Sequence, residues 1–227
     1  MSAAAALLLL ALAAPELPPL PADAVRLILV RHGEAYTNLS SPPPDMPEHQ
    51  RDRLTERGRA MVQALTKMVA PLEPHAILAS PAGRAFETAA ILSRELPTAF
   101  PTGEPRLRPI EMGRDAAGKE LAIAARVEDW RAGRDPRPRD GESIEDVGAR
   151  VDALARDMAS RHRGQVILLV AHSEVIGAWL GSLAAVEPAK RYPFNVGLAS
   201  MTVVDVPARG PARILVTAVE AAPATLH

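Results

Sequence analysis

The sequence predicts an α/β protein, a three-layer α/β/α sandwich with a mostly parallel central sheet, on three observations. Two apolar runs of strand length, Val25-Arg26-Leu27-Ile28-Leu29-Val30 and Val166-Ile167-Leu168-Leu169-Val170-Ala171, stand far apart in the chain and read as buried central strands. Segments of helical periodicity alternate with strand-like ones, as crossover connections in a parallel sheet require. No internal repeat interrupts them, and 227 residues with 48% hydrophobic content suffice for one domain with a sizeable core.

Residues 1–24 read differently from the rest. Residues 3–14 are continuously apolar, and Pro15-Glu16-Leu17-Pro18-Pro19-Leu20-Pro21 follows. The apolar length suits a signal-peptide core and is too short to span a bilayer, with Ala11-Leu12-Ala13 as a small-residue cleavage site. Export to the periplasm or the extracellular space is the expectation. Because no Lys or Arg precedes the run, a cytoplasmic protein with an N-terminal extension is the alternative. Residues 1–24 are set apart from the fold, and residues 25–227 are read as one domain without a membrane span.

After the first strand, residues 40–50 contain Pro42-Pro43-Pro44 and Pro47, which favours an extended loop and excludes a helix. Thr55 caps an amphipathic helix with Met61, Val62, Leu65, Met68 and Val69 on one face, ended by Pro71. Residues 76–79 form a short buried strand, and Ser80-Pro81 opens a helix reaching Leu96. Residues 97–140 are rich in Pro, Gly and Arg and read as an insertion over the sheet edge, residues 120–132 being its one helix. Helices follow over residues 144–162, with Gly164 beyond the end, and residues 173–185; closing strands follow over residues 201–206 and 213–219.

A net charge of −1 provides no field for nucleic acid or an anionic membrane, so phosphate affinity must come from a local cluster of cations. Of 26 basic residues only Lys67, Lys119 and Lys190 are lysines. The absence of cysteine excludes disulfides and thiolate metal sites, which fits either compartment.

Arg31-His32-Gly33 directly follows the first strand and His172 follows the later one. Ligands of open α/β sheets bind beyond the carboxyl ends of the strands, so both histidines can meet round one substrate. The surroundings resemble the histidine phosphatase superfamily, the phosphoglycerate mutase-like family. Glu34 and Asn38 stand behind the tripeptide, then come Asp52-x-Leu54-Thr55-x-x-Gly58 and Ser80-Pro81-x-x-Arg84-Ala85-x-x-Thr88-Ala89. Gly141-Glu142-Ser143 with Arg150, and Val170-Ala171-His172-Ser173, complete that family's order over nearly all of residues 25–206.

The residue types suit phosphoryl chemistry. Arginine offers a planar fork matched to phosphate, which gives Arg31 and Arg84 the role of holding the dianion. A neutral imidazole can attack phosphorus, so His32 is the expected nucleophile and a phosphohistidine the intermediate. Two neighbouring arginines disfavour a third positive charge and keep that ring neutral. His172, Asn38 and Ser173 supply further donors, and Gly33 lets backbone approach the phosphate. His49, His75, His162 and His227 lack matching motif residues, and no pair has the spacing of a helical metal site.

The leaving oxygen needs a proton, which the family resemblance places on a glutamate in Leu-x-Glu-x-x-x-Gly. Here Leu107-Arg108-Pro109-Ile110-Glu111-Met112-Gly113 carries Pro109 at that position. In an extended segment residues 109 and 111 share a side, so Glu111 is the expected acid, with Glu104 and Asp115 behind it. The expectation is a metal-independent, cofactor-free phosphatase of small phosphomonoesters. A phosphoglycerate mutase-like phosphotransferase and a non-catalytic phosphate-ligand-binding protein are the alternatives. Residues 39–53 and 97–140 are expected to form the pocket's outer wall.

Overall fold

A computed structural model describes residues 16–98, 100–191 and 196–221; the signal-like run at residues 3–14 and His227 lie outside the described residues. Strands run β1 (Ala24–Arg31), β2 (Ala76–Ala79), β3 (Thr102–Gly103), β4 (Met112–Arg114), β5 (Arg139–Gly141), β6 (Val166–Ala171), β7 (Ser200–Pro207) and β8 (Arg213–Glu220). The helices are α1 (Glu48–Arg51), α2 (Glu56–Val69), α3 (Gly83–Glu95), α4 (Ile123–Arg131), α5 (Ile144–Arg161) and α6 (Ser173–Leu183). No described helix is long and apolar enough to cross a membrane.

The main sheet has the order β3-β2-β6-β1-β7-β8. Its first four strands are parallel, and β7 and β8 are antiparallel additions at one edge. Side-chain alternation along the two central strands makes the three layers. Leu27, Leu29, Ile167 and Leu169 pack on α5 and α6, whereas Ile28, Val30, Leu168 and Val170 pack on α2 and α3. A continuous apolar run is therefore what a strand covered on both faces needs.

The helix faces follow the predicted stripes. Thr55 Oγ1 accepts from Gly58 N at 2.9 Å and caps α2, burying Val62, Leu65, Met68 and Val69. Ser143 caps α5, exchanging hydrogen bonds with Asp146. α2 lies unusually close to the chain after β1. A Cβ on Gly58 would stand 1.9 Å from the Glu34 carbonyl oxygen, and one on Gly33 would stand 2.7 Å from the Gly58 carbonyl oxygen.

Four expectations need correction. Residues 17–24 are packed on the domain: Leu17 joins the α2/α3 core, Ala24 opens β1, and Arg26 Nη2 donates to the Pro18 carbonyl at 2.8 Å. The same guanidinium forms a buried two-pronged pair with Asp205 at 2.7 and 2.9 Å. Residues 40–50 do contain the start of a helix, α1, because Pro47 needs no amide hydrogen at an N-cap. α3 starts at Gly83, since Ala82 is extended and its N–H is bonded to Ser80 Oγ. The stretch 97–140 contributes β3 to the sheet edge and pairs β4 with β5 in a small ribbon of its own.

Candidate active site

β1 and β6 are adjacent and parallel, with Arg31 beside Ala171 at their ends, so the next residue of each strand is delivered to one point. These are His32 and His172, whose ring centroids lie 5.1 Å apart. After β1 the chain leaves for the α2/α3 face, and after β6 for the α5/α6 face. The crevice between two such strands is where a doubly wound sheet opens to a ligand. α6 begins there with no side-chain cap from His172, and a helix N-terminus is favourable for an anion.

Hydrogen bonds fix which nitrogen of each ring carries the proton. Arginine only donates, so Arg84 Nε, 3.1 Å from His32 Nε2, requires a lone pair on that nitrogen. His32 Nδ1–H then donates to the Gly33 carbonyl at 2.8 Å. By the same reasoning His172 Nδ1 accepts from Arg84 Nη2 at 3.2 Å, and its Nε2–H donates to Ser80 Oγ at 2.9 Å. Burial pushes His32 from 6.5 down to about 3, and the charges of Arg84 and Arg31 act in the same direction. His172 is lowered well below its ordinary value, first by burial and then by Arg84. Both rings are thus neutral bases at physiological pH.

Arg84 also pairs with Asp52, whose Oδ2 accepts from Gly83 N at 2.6 Å, so one carboxylate anchors both the guanidinium and the first turn of α3. Arg31 Nη1 donates to the Val196 carbonyl at 2.6 Å, while its Nε is buried with no partner among the described residues. Burial lowers its pKa from the usual guanidinium value. A pocket of about 620 Å³ opens over this group. Its lining combines Arg31, Arg84, Asn38, Ser173 and Glu174 with the apolar Pro109, Ile110, Met112, Ile123 and Trp130.

The structure thus brings together Arg31, His32, Arg84 and His172, with Asn38 and Ser173 on the pocket wall. Asn38 Oδ1 accepts from Ala35 N, which turns the chain after β1. Gly33 also has a packing reason. Its missing Cβ faces Gly58 and Val62, and its N–H donates to Thr88 Oγ1 at 3.1 Å, so helix packing demands the glycine. Glu111 is not brought to the pocket. Its backbone N–H donates to Glu142 Oε2 and its carbonyl accepts from Glu142 N. Its half-exposed side chain pairs with Arg108 and lines, with Glu120 and Asp140, an adjoining groove that shares Ile110 and Met112 with the pocket. Glu104 is held by Arg106, and Asp115 caps a turn through Ala117 and Lys119.

Sequence reasoning quoted Asp52, Ser80 and Thr88 only as parts of motifs. It missed Glu174, and of the two stretches expected to form the outer wall, 39–53 and 97–140, only the second lines this pocket, with nothing in residues 109–130 signalling which side chains share it. Among the described residues no three His, Asp or Glu are grouped to hold a metal ion.

Comparison with known proteins bears on the family and the fold. The model of the histidine phosphatase superfamily (branch 1) matches residues 27–218. A probable phosphoglycerate mutase GpmB of Enterobacter sp. (strain 638) is 28% identical over 165 residues, 70% of this chain and 74% of the relative. Mycobacterial hydrolase 2 superposes with a TM-score of 0.71 at 26% identity, covering 89% of this chain and 94% of that one. A mycobacterial glucosyl-3-phosphoglycerate phosphatase, in complex with VO3, does so at 0.65 and 25% identity, covering 85% and 98%.

Proposed function

The chain belongs to the histidine phosphatase superfamily, and from that premise we propose that it hydrolyses small phosphomonoesters through a phosphohistidine on His32. The observation that carries the proposal is the Arg84 Nε–H hydrogen bond to His32 Nε2, which marks that nitrogen as a lone-pair base held beside a phosphate-binding fork.

A substrate dianion draws the Arg84 and Arg31 guanidiniums onto its oxygens, satisfying the orphan Nε of Arg31 and freeing His32 Nε2 to attack. The Gly33 carbonyl holds the opposite nitrogen and stabilises the positive ring that results. His172, neutral in the empty pocket, gains a proton as negative charge arrives and then donates through Nδ1 to a phosphoryl oxygen. Water attacks phosphorus in the second step and returns His32 as the leaving group.

Mutase chemistry is the second reading, favoured by the named relative. A mutase must retain a bisphosphorylated intermediate, which carries a second dianionic group. Among the described residues, the pocket holds no cation beyond Arg31 and Arg84 and carries Glu174, which favours release of phosphate to water. Acid-quenched labelling with a radioactive phosphomonoester tests the proposal. Label is expected on His32 and absent from His32→Asn, whereas label that persists in the variant refutes it. Following phosphate release against isomer exchange of phosphoglycerate separates hydrolase from mutase.

A further inference from the structure

We propose that the substrates are phosphate esters of apolar, aromatic alcohols, whose leaving group rests on the wall of Pro109, Ile110, Met112, Ile123 and Trp130 and departs as a phenolate without a proton from the protein. The inference rests on the phosphatase reading above and deepens it.

In a phosphoryl transfer the attacking and leaving atoms lie roughly in line through phosphorus. With His32 Nε2 beneath the phosphate and the two arginines round it, the leaving oxygen points out of the crevice, to the side that the 109–130 excursion covers. That side is apolar. Ile123 is one of two large apolar side chains that the described residues leave exposed, at 48%, and it stands on this pocket. Trp130 Nε1 is bonded to Asp135, so the indole's polar edge is engaged elsewhere.

Charge near the wall is also engaged elsewhere. Arg126 is buried against the Trp130 ring, with its Nη atoms donating to the carbonyls of Met112 and Glu142. Arg108 and Arg150 are paired with Glu142. A carboxylate or second phosphate on the leaving group would find no cation here among the described residues and would face Glu174.

The same wall has no proton to give. An aliphatic alkoxide leaving unprotonated is far too basic, whereas a phenol ionises near pH 10 and needs little help. In the first step the His32 Nε2–phosphorus bond forms, the phosphorus–oxygen bond breaks, and the electron pair leaves on the aryl oxygen, later protonated by water. In the second step water oxygen bonds to phosphorus, the nitrogen–phosphorus bond breaks, and its electron pair returns to Nε2. The water's surplus proton passes to solvent.

The test is kcat/KM for substituted phenyl phosphates, 1-naphthyl phosphate, glycerol 2-phosphate and 3-phosphoglycerate. A steep fall with leaving-group pKa is expected, the two aliphatic esters trailing phenyl phosphate by about a hundredfold or more, the scale of a missing general acid. Naphthyl is expected to surpass phenyl by about tenfold through KM, its second ring adding buried apolar area. Ile123→Ser, at an exposed site, should cut that naphthyl preference by about threefold. Glu174→Gln should leave the slope steep. A shallow slope that steepens in Glu174→Gln makes Glu174 the proton donor and overturns the inference. Aliphatic esters hydrolysed as fast as phenyl phosphate overturn it too, while hydrolysis of aliphatic esters that still needs His32 leaves the phosphatase reading standing. Release of phosphate from no ester, or release unaffected by His32→Asn, is instead the failure of that reading.

Discussion

Acid should destabilise this protein through the two histidines at its centre. The His32 imidazole takes a proton at 6.5 in the unfolded chain but only at about 3 in the folded one. Between those values the unfolded state binds more protons, so the contribution is complete above 6.5 and shrinks as pH falls towards 3. Each pH unit in that window costs about 1.4 kcal/mol for one such group. At pH 5 His32 alone therefore removes about 2 kcal/mol of folding free energy. His172 is shifted in the same direction by burial and by Arg84, and adds to the loss. The assay is urea unfolding at about pH 7.5 and about pH 5 for wild type and for His32→Asn, which retains an amide donor for the Gly33 carbonyl but cannot titrate. Wild type is expected to lose about 2 kcal/mol more than the variant between the two conditions. Equal losses, or an NMR titration placing His32 near 6.5, would refute the tautomer and charge assignments on which the proposed attack at phosphorus depends.

Four further outcomes follow from the geometry. Asp205→Ala strands the buried Arg26 guanidinium and should cost about 3 kcal/mol, or roughly 10 °C in Tm, measured by calorimetry. Gly58→Ala puts a methyl group 1.9 Å from the Glu34 carbonyl oxygen; a loss of about 3 kcal/mol or more in urea unfolding is expected. Arg84→Ala removes the donor shared by both histidines, and kcat/KM for phenyl phosphate should fall by about two to three orders of magnitude. Glu111→Gln should change kcat/KM by less than about twofold, because this exposed side chain lines a different groove.

Much of the fold was legible because the central strands are covered on both faces and the helices on one. That difference writes itself into the sequence as unbroken apolar runs in β1 and β6 and as a 3.6-residue stripe in α2 and α5. Four of the five catalytic candidates, Arg31, His32, Arg84 and His172, were legible as a cluster for a related reason. Each stands at the end of a strand or in the first turn of a helix, a place a short motif can mark. Residues 17–24 were misread because their prolines looked like a separator. In the fold the extended backbone they impose offers the Pro18 carbonyl to Arg26 and Leu17 to the core. β3, β4 and β5, of two or three residues each, carry no periodicity that a sequence window could register.

The misplacement of Glu111 shows where local rules stop. Strand alternation would have put residues 109 and 111 on one side, but alternation holds only while the backbone is extended and its amides are paired in a ladder. Glu142 takes the place of that ladder, bonding the N–H of Glu111 with its carboxylate and the carbonyl with its own N–H. That carboxylate is in turn fixed by Arg150, whose Nη atoms also hold the carbonyls of Arg106, Arg108 and Pro109. The pairing presents Pro109 and Ile110 to the pocket and turns Glu111 away from it. Glu142 and Arg150 are separated from the loop they shape by more than thirty residues, so only their joint presence in the sequence was visible, not the task they share. They place the wall beside the cations, and on the proposed reading the pocket's specificity comes from how the first is set against the second.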